Sequence, residues 1–192
     1  MITHIPPPSS LTGGTREQIM NAAQRMIEKR SYLGFSFQDI ADEIGIRKAS
    51  LYHHFPSKEA LGEEVIREAT RKFREWTGGM HYSAEKKLKA YFLMYRNTLH
   101  AGEGICPAGA LAPGWDCISD DLRNAVRDLR STQVNWLTGL MEELKPAEKQ
   151  PARLAAYIFS VCQGGLVAAR MTEDVADFDD TLTLLKNSLI NK

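Results

Sequence analysis

Apolar residues recur along this chain at the three-to-four spacing of helices, and no stretch alternates as a half-buried strand does. Ile19, Ala22, Ala23, Met26 and Ile27 share one face of a first helix that Thr15 can cap. Phe37, Ile40, Ala41 and Ile44 repeat the pattern in a short second helix. Ser36 precedes it and Asp39 follows three residues later, an acidic form of the capping box. Gly45 permits the left-handed backbone that stops this helix. Ile46 and Leu51 anchor a further short helix, while Arg47, Lys48, Ser50, Tyr52 and His53 point donors elsewhere. Two short helices joined through a Gly turn match a helix-turn-helix, whose second helix enters the DNA major groove.

The periodicity continues to the C-terminus. Ser57 caps a long fourth helix carrying Leu61, Val65, Ala69, Phe73 and Trp76, broken at Gly78-Gly79. Ser83 opens a fifth, apolar on nearly every side from Leu88 to Tyr95, which predicts a buried central helix. Residues 102–119 are rich in Gly and Pro and predict a loop with one short helix near 107–115. Ser119 starts a long helix through Leu122, Val126, Leu129, Trp136, Leu140 and Leu144. After a polar turn, Pro151 suits the first turn of the next helix, which runs to about Met171. A last helix is expected over 177–191. The predicted fold class is all-α.

Composition narrows the partners. At 192 residues with 43% hydrophobic residues the chain can bury a core. Its 24 basic and 24 acidic residues balance, so affinity for nucleic acid must come from where the cations sit. No apolar run approaches the roughly 18 residues expected of a membrane span, so no membrane partner is expected. The first 14 residues lack the basic and apolar regions of a secretory signal and predict a flexible arm around Pro6-Pro7-Pro8. Three cysteines, Cys106, Cys117 and Cys162, with no export signal predict reduced thiols and a cytoplasmic location.

Thr15 to roughly Arg71 resembles the N-terminal domain of the TetR family of transcriptional repressors. The residues that carry the resemblance begin with Thr15-Arg16, Ile19, Ala22-Ala23, Gly34-Phe35 and Asp39-Ile40-Ala41. They continue through Gly45-Ile46, Leu51-Tyr52-His53-His54-Phe55 and Ser57-Lys58-Glu59-Ala60-Leu61. Arg47 stands where the family usually has a small N-capping residue, and Ala49 where Gly is frequent. The resemblance implies a flexible arm over 1–14, a helix-turn-helix DNA-binding domain over 15–60, and a helical ligand-binding and dimerisation domain over 61–192. It also implies a homodimer on a double-stranded, near-palindromic operator, released by a small-molecule effector.

Candidate DNA contacts are Arg16, Ser36, Arg47, Lys48, Ser50, Tyr52, His53 and Lys58. Hydroxyls and the His ring can meet phosphates, Lys48 or Arg47 a phosphate or guanine edge, and Lys58 a phosphate at a helix N-terminus. Candidate effector contacts are Tyr91, Met94, Tyr95, Trp115, Trp136, Tyr157 and Phe159. Ile158, Val161, Gly165, Leu166 and Ala169, with Phe178, Leu182, Leu185 and Leu189, form apolar stripes on the last two helices and are candidates for the dimer surface. The alternative for these stripes is packing within the subunit.

Cys106 precedes a predicted helix N-terminus, where a thiolate is favoured. Its segment is loosely similar to the Gly-Cys loop of electrophile-sensing and multidrug-efflux repressors, with Ile105 intervening after Gly104. A covalent electrophile or redox sensor acting through Cys106 is therefore the first alternative. No ligand spacing for a metal, no cofactor motif and no GxSxG, HExxH or phosphate loop is present, so neither a cofactor nor catalysis is expected. A thiol enzyme or a helical adaptor with a vestigial helix-turn-helix is the remaining alternative.

Overall fold

The computed structural model describes residues 14–100 and 104–190, so the arm expected over 1–14 lies outside the described residues except for Gly14. Among the described residues there are helices and turns and no strand. The helices are α1 (Thr15–Arg30), α2 (Phe37–Ile44), α3 (Lys48–His54), α4 (Lys58–Gly78), α5 (Ala84–His100), α6 (Pro107–Ala110), α7 (Asp120–Leu144), α8 (Pro151–Thr172) and α9 (Val175–Ile190). The all-α expectation holds.

Two compact units divide the chain. One takes residues 14–72 with Pro107–Leu129; the other takes the remaining described residues from Phe73 onward. The packing thus divides after residue 72 rather than at 60, and returns a later segment to the helix-turn-helix unit. α4 and α7 contribute residues to both.

In the first unit, Gly14 rather than Thr15 is the residue that precedes α1, without a side-chain cap. The inward stripe Ile19, Ala22, Ala23, Met26 and Ile27 is buried as its spacing requires. Ser31 ends α1 at φ 62°, a left-handed position unusual for a residue with a Cβ. Its hydroxyl donates to the carbonyl of Ala110 at 2.8 Å, which secures the turn. α2 carries the full capping box. The backbone N–H of Ser36 donates to Asp39 Oδ2 at 2.7 Å, and Ser36 Oγ accepts from the Asp39 N–H at 3.4 Å. Gly45 stops α2 at φ 71°, and its N–H returns to the carbonyl of Ala41. The later segment supplies Ala110, Leu111, Ile118, Leu122 and Val126 to this core. The single short helix expected near 107–115 is instead the one-turn α6 followed by a 3-10 turn over Ala112–Cys117. Pro113 lacks the N–H a continuing helix needs, and Gly114 leaves helical geometry at φ −104°, ψ 18°.

The core of the second unit is built on α5, whose Tyr91, Phe92 and Tyr95 are buried, with Leu137, Met141, Ile158, Cys162, Leu166, Phe178 and Leu182 around them. Pro151 opens α8 at its first turn, as expected. Contrary to the sequence reading, α8 is apolar and long enough, at 22 residues, to cross a membrane by length and composition. Its inner face, Ile158, Cys162 and Leu166, is each 0% exposed and sits in this core, which accounts for the apolar run.

Candidate functional site

Helix α3 presents the candidate nucleic-acid interface. One residue, Leu51, buries its side chain and pins the helix to the unit, and the remaining positions are free to face outward. Arg47, Lys48, Tyr52 and His53 are exposed and Ser50 is half-buried. Arg47 holds the N-cap position with extended backbone and no side-chain cap bond, so its guanidinium is not spent on the helix end. No acidic residue stands in the first turn. The carboxylates that end α2 are engaged: Glu43 pairs with Arg25 at 2.6 Å and Asp42 accepts from Gln38 at 2.7 Å. Tyr52 rests its ring on Phe37, centroids 5.2 Å apart, while the residue stays 52% exposed. Packing therefore fixes the ring and leaves this side chain largely accessible.

Three other sequence candidates have structural partners. Ser36 spends its hydroxyl on the α2 cap, donating to Asp39 Oδ2 at 2.5 Å. Arg16 pairs with Glu64 at 3.1 Å, and its guanidinium lies 4.8 Å from the centroid of Phe55. Lys58 is the clear correction. Its ammonium turns inward, donating to the backbone carbonyls of Tyr32 and Phe35 at 2.5 Å each. It lies over both rings, 4.4 Å from Tyr32 and 4.2 Å from Phe35. Burial lowers its pKa below the usual lysine value, against a smaller opposing pull from Asp39. Lys58 clamps the turn between α1 and α2 rather than waiting for a phosphate.

In the second unit the aromatic candidates separate. Tyr91 and Tyr95 meet in the core, their rings 5.1 Å apart, and both hydroxyls lie 3.0 Å from Gln133 Oε1. Trp136 lies beside Tyr91 at 5.7 Å and joins Phe73 at 5.6 Å. Met94 is half-buried against this core, and Phe159 is buried with Arg130 over its ring at 5.7 Å. Two candidates do not join them. Trp115 belongs to the helix-turn-helix unit, where its carbonyl accepts from Arg123 at 3.0 Å and Arg127 lies over its ring. Tyr157 is 50% exposed. Sequence reasoning missed Gln133 and Gln163, which donates to the Tyr95 hydroxyl at 3.2 Å. Gln133 falls at the inward position between Leu129 and Leu137, a polar residue in an apolar stripe, and that break in the pattern was its signal.

The stripes assigned to a dimer surface are turned inward. Ile158, Leu166, Ala169, Phe178, Leu182, Leu185 and Leu189 are buried within the subunit, Gly165 is covered by Phe178, and Val161 is half-buried. A residue with no exposed surface in one subunit has none to bury against another. Among the described residues, the large apolar side chains exposed on these helices are Tyr157, Val167, Met171 and Leu184.

Cys106 is half-buried against the second core, Cys117 is exposed and Cys162 is fully buried. Burial pushes the Cys162 thiol up to about 12. The helix after Cys106 is a single turn, so its dipole offers far less to a thiolate than the sequence reading supposed.

Residues 19–65 match the family model for bacterial regulatory proteins of the tetR family. A TetR transcriptional regulator from Legionella pneumophila superposes with a TM-score of 0.84 at 28% identity, over 94% of this chain and 99% of that one. Residues 19–65 thus carry the DNA-binding domain of the tetR family model, and the chain is similar to a TetR regulator over most of its length. A further relative is an uncharacterized HTH-type transcriptional regulator from Lactococcus lactis, 27% identical over 91% of this chain and 92% of the other. The HTH-type transcriptional repressor KstR2 of Mycolicibacterium smegmatis is 37% identical over 76 residues, 40% of this chain and 35% of that protein. The match spans α2 and α3, the second of which carries the exposed basic face.

Proposed function

We propose that this protein is a cytoplasmic homodimeric TetR-family repressor that grips a near-palindromic operator through α3 and is released by a small-molecule effector. The observation that carries the reading is the outer face of α3. Lys48, Tyr52, His53 and Arg47 are exposed there while Leu51 is the buried residue of the helix. Phosphates fix the register and the base edges supply the sequence, for which Lys48 and Arg47 at the helix start are the best-placed cations. A twofold dimer sets two such helices about 34 Å, one DNA turn, or a multiple apart. The exposed apolar side chains Tyr157, Val167, Met171 and Leu184 on α8 and α9 offer the surface for that pairing. Effector control requires a ligand that binds the form unable to hold the operator better than the form that holds it. No catalytic step belongs to this reading.

The test is selection of genomic DNA fragments by the purified protein across a range of salt. Recovery of a short near-palindrome, with affinity falling steeply in salt, is expected. No enriched fragment, or a flat salt response, defeats the proposal.

A thiol-based release is a second reading, favoured by the place of Cys106 against the core that holds Tyr91 and Tyr95. Modification there disturbs the packing an effector would address. If a mild electrophile frees the operator from the wild type and spares Cys106→Ser, Cys106 is the sensor; release from both proteins rejects it.

A further inference from the structure

The turn between α1 and α2 is held in a backbone setting that a side chain opposes. Among the described residues, Ser31 and Glu173 alone combine a positive φ with a Cβ. Glu173 sits at φ 56°, ψ 24°, the ordinary left-handed end of a helix. Ser31 sits at φ 62°, ψ 165°, a region that is essentially glycine's. What serine has there and glycine lacks is a hydroxyl, and that hydroxyl donates to the Ala110 carbonyl at 2.8 Å. The next two residues are held as closely. Gly62 of α4 has Tyr32 Cε2 and Leu122 Cδ2 at 3.0 and 3.3 Å from where its Cβ would stand. Leu33 lies over Gly114, whose Cβ would stand 3.0 Å from Leu33 Cγ. α2 also rests on the unit through Phe37, Ile40 and Ala41, but apolar burial has no preferred direction. The ion pairs from α1 to α2, Arg25–Glu43 and Arg30–Asp39, lie at the surface, where such pairs hold little.

We propose that Ser31 is a positioning residue for operator binding: its hydroxyl latches the α1–α2 turn to the Ala110 carbonyl and so fixes the direction in which α2 and α3 leave α1. A face held at one setting loses less freedom on meeting DNA than one that swings, and in a twofold dimer this applies at both half-sites. Ser31 touches no DNA. It acts through α2 on Arg47 and Lys48 at the start of α3. The strain at Ser31 comes with having a side chain there, and the bond to Ala110 offsets it. The inference rests on the reading of α3 as the operator-binding helix and adds a residue outside that helix which sets its presentation.

The experiment compares full-length Ser31→Gly with its parent, both carrying Cys106→Ser and Cys117→Ser to keep native thiols out of the pairing. Each is made with and without a staple formed by Leu33→Cys and Gly114→Cys. Glycine adopts the Ser31 backbone without strain, so the variant folds and loses the latch alone. The staple suits the place, because the 3.0 Å from a Gly114 Cβ to Leu33 Cγ matches the Cβ-to-far-sulfur distance of about 3 Å in a disulfide. Ser31→Gly is expected to bind the selected operator fragment about tenfold more weakly, the size of one lost hydrogen bond. The salt slope should not change, because the same phosphates are met. Oxidising the staple, confirmed by mass, is expected to restore the parent's affinity, and dithiothreitol to remove it again. Equal affinity in parent and Ser31→Gly, or a loss that the closed staple does not restore, overturns the proposal. Hydrogen exchange reads the latch without DNA. Ser31→Gly is expected to speed exchange of the Gly34 amide, which donates to the Ser31 carbonyl at 3.2 Å, and of the α2 amides, and to leave those around Ala23 in α1 at the parent's rate. Unchanged exchange, or exchange sped equally in α1, overturns the latch. Faster exchange confined to the turn and α2, with no operator bound by either protein, defeats the regulator reading alone; operator binding by both with unchanged exchange defeats this one alone.

Discussion

Gly165 on α8 lies against the ring of Phe178 on α9, so close that a Cβ on Gly165 would stand 2.9 Å from Phe178 Cδ2 and 3.1 Å from its Cε2. Phe178 is 0% exposed and has no open side to move into. Gly165→Ala therefore meets an overpacking cost of about 1–3 kcal/mol. Its gain in helix propensity is about 1 kcal/mol at most. A lowered melting temperature is expected. Gly139, on α7, has nothing within 4 Å of a built Cβ. Gly139→Ala collects the propensity gain alone and is expected to raise the melting temperature. Thermal unfolding of the two variants beside the wild type checks the pair.

Lys48 and Lys58 look alike in sequence and differ in the fold. Lys48 is exposed at the start of α3, whereas Lys58 donates to the carbonyls of Tyr32 and Phe35. Lys58→Ala leaves those carbonyls without their donor and is expected to cost about 1–3 kcal/mol of stability. Its salt dependence of operator binding should match the wild type. Lys48→Ala is expected to stay within about 0.5 kcal/mol of wild-type stability. It should make the salt slope shallower by about one phosphate contact. Urea denaturation and binding isotherms over a salt series separate the roles; a shallower slope in Lys58→Ala would return that lysine to the DNA.

That contrast also marks how far the sequence could be read. The capping box of Ser36 and Asp39 and the left-handed Gly45 were legible because caps and stops act within four residues. Lys58 was misread because its partners lie 23 and 26 residues earlier, and a lysine near a helix start usually faces water. The stripes of α8 and α9 were found but placed on the wrong side. Periodicity shows that a face is apolar and cannot say whether the same chain or another covers it. Gln133 and Gln163 escaped because a glutamine in an apolar stripe becomes informative only when its partners on other helices are known.

The α2 cap makes a pH-dependent contribution. Hydrogen bonds from the Ser36 hydroxyl and then its backbone N–H hold the Asp39 carboxyl below the ordinary Asp value of 3.8. A depressed carboxyl adds stability that is complete above the unfolded value and is lost as pH falls through the folded one. Asp39→Asn is therefore expected to be less stable than the wild type at pH 7, by an amount that shrinks as pH falls below 3.8. Urea midpoints at neutral and acid pH measure this. A difference that is constant with pH would remove Asp39 from the linkage.

The thiols should separate by burial. With its thiol pushed up to about 12, Cys162 has almost no thiolate near neutral pH and no path to reagent in the folded state. Iodoacetamide is expected to label the exposed Cys117 first, then the half-buried Cys106, and Cys162 only after denaturation. Peptide mapping by mass spectrometry after timed exposure reads the order. Labelling of Cys162 in the native protein would mean that the core of the second unit opens readily.

The exposed apolar side chains of α8 and α9 distinguish packing inside the subunit from packing between subunits. Met171 is 80% exposed and Leu184 71%, while Leu182, two residues from Leu184, is 3% exposed. In an isolated subunit, Met171→Glu with Leu184→Glu touches nothing and leaves the helices intact. In the proposed dimer it places carboxylates in an apolar contact beside their twofold copies, where desolvation and like charge both oppose association. Light scattering is expected to show the mass halved with helical circular dichroism unchanged. Operator affinity should fall sharply as well, since a monomer holds one half-site without the effective concentration the second supplies. Leu182→Glu is expected to lose the helical signal instead, because that charge enters the subunit core. A wild-type protein that is monomeric at the concentrations that bind operator would end the dimer proposal and leave α3 to hold DNA alone.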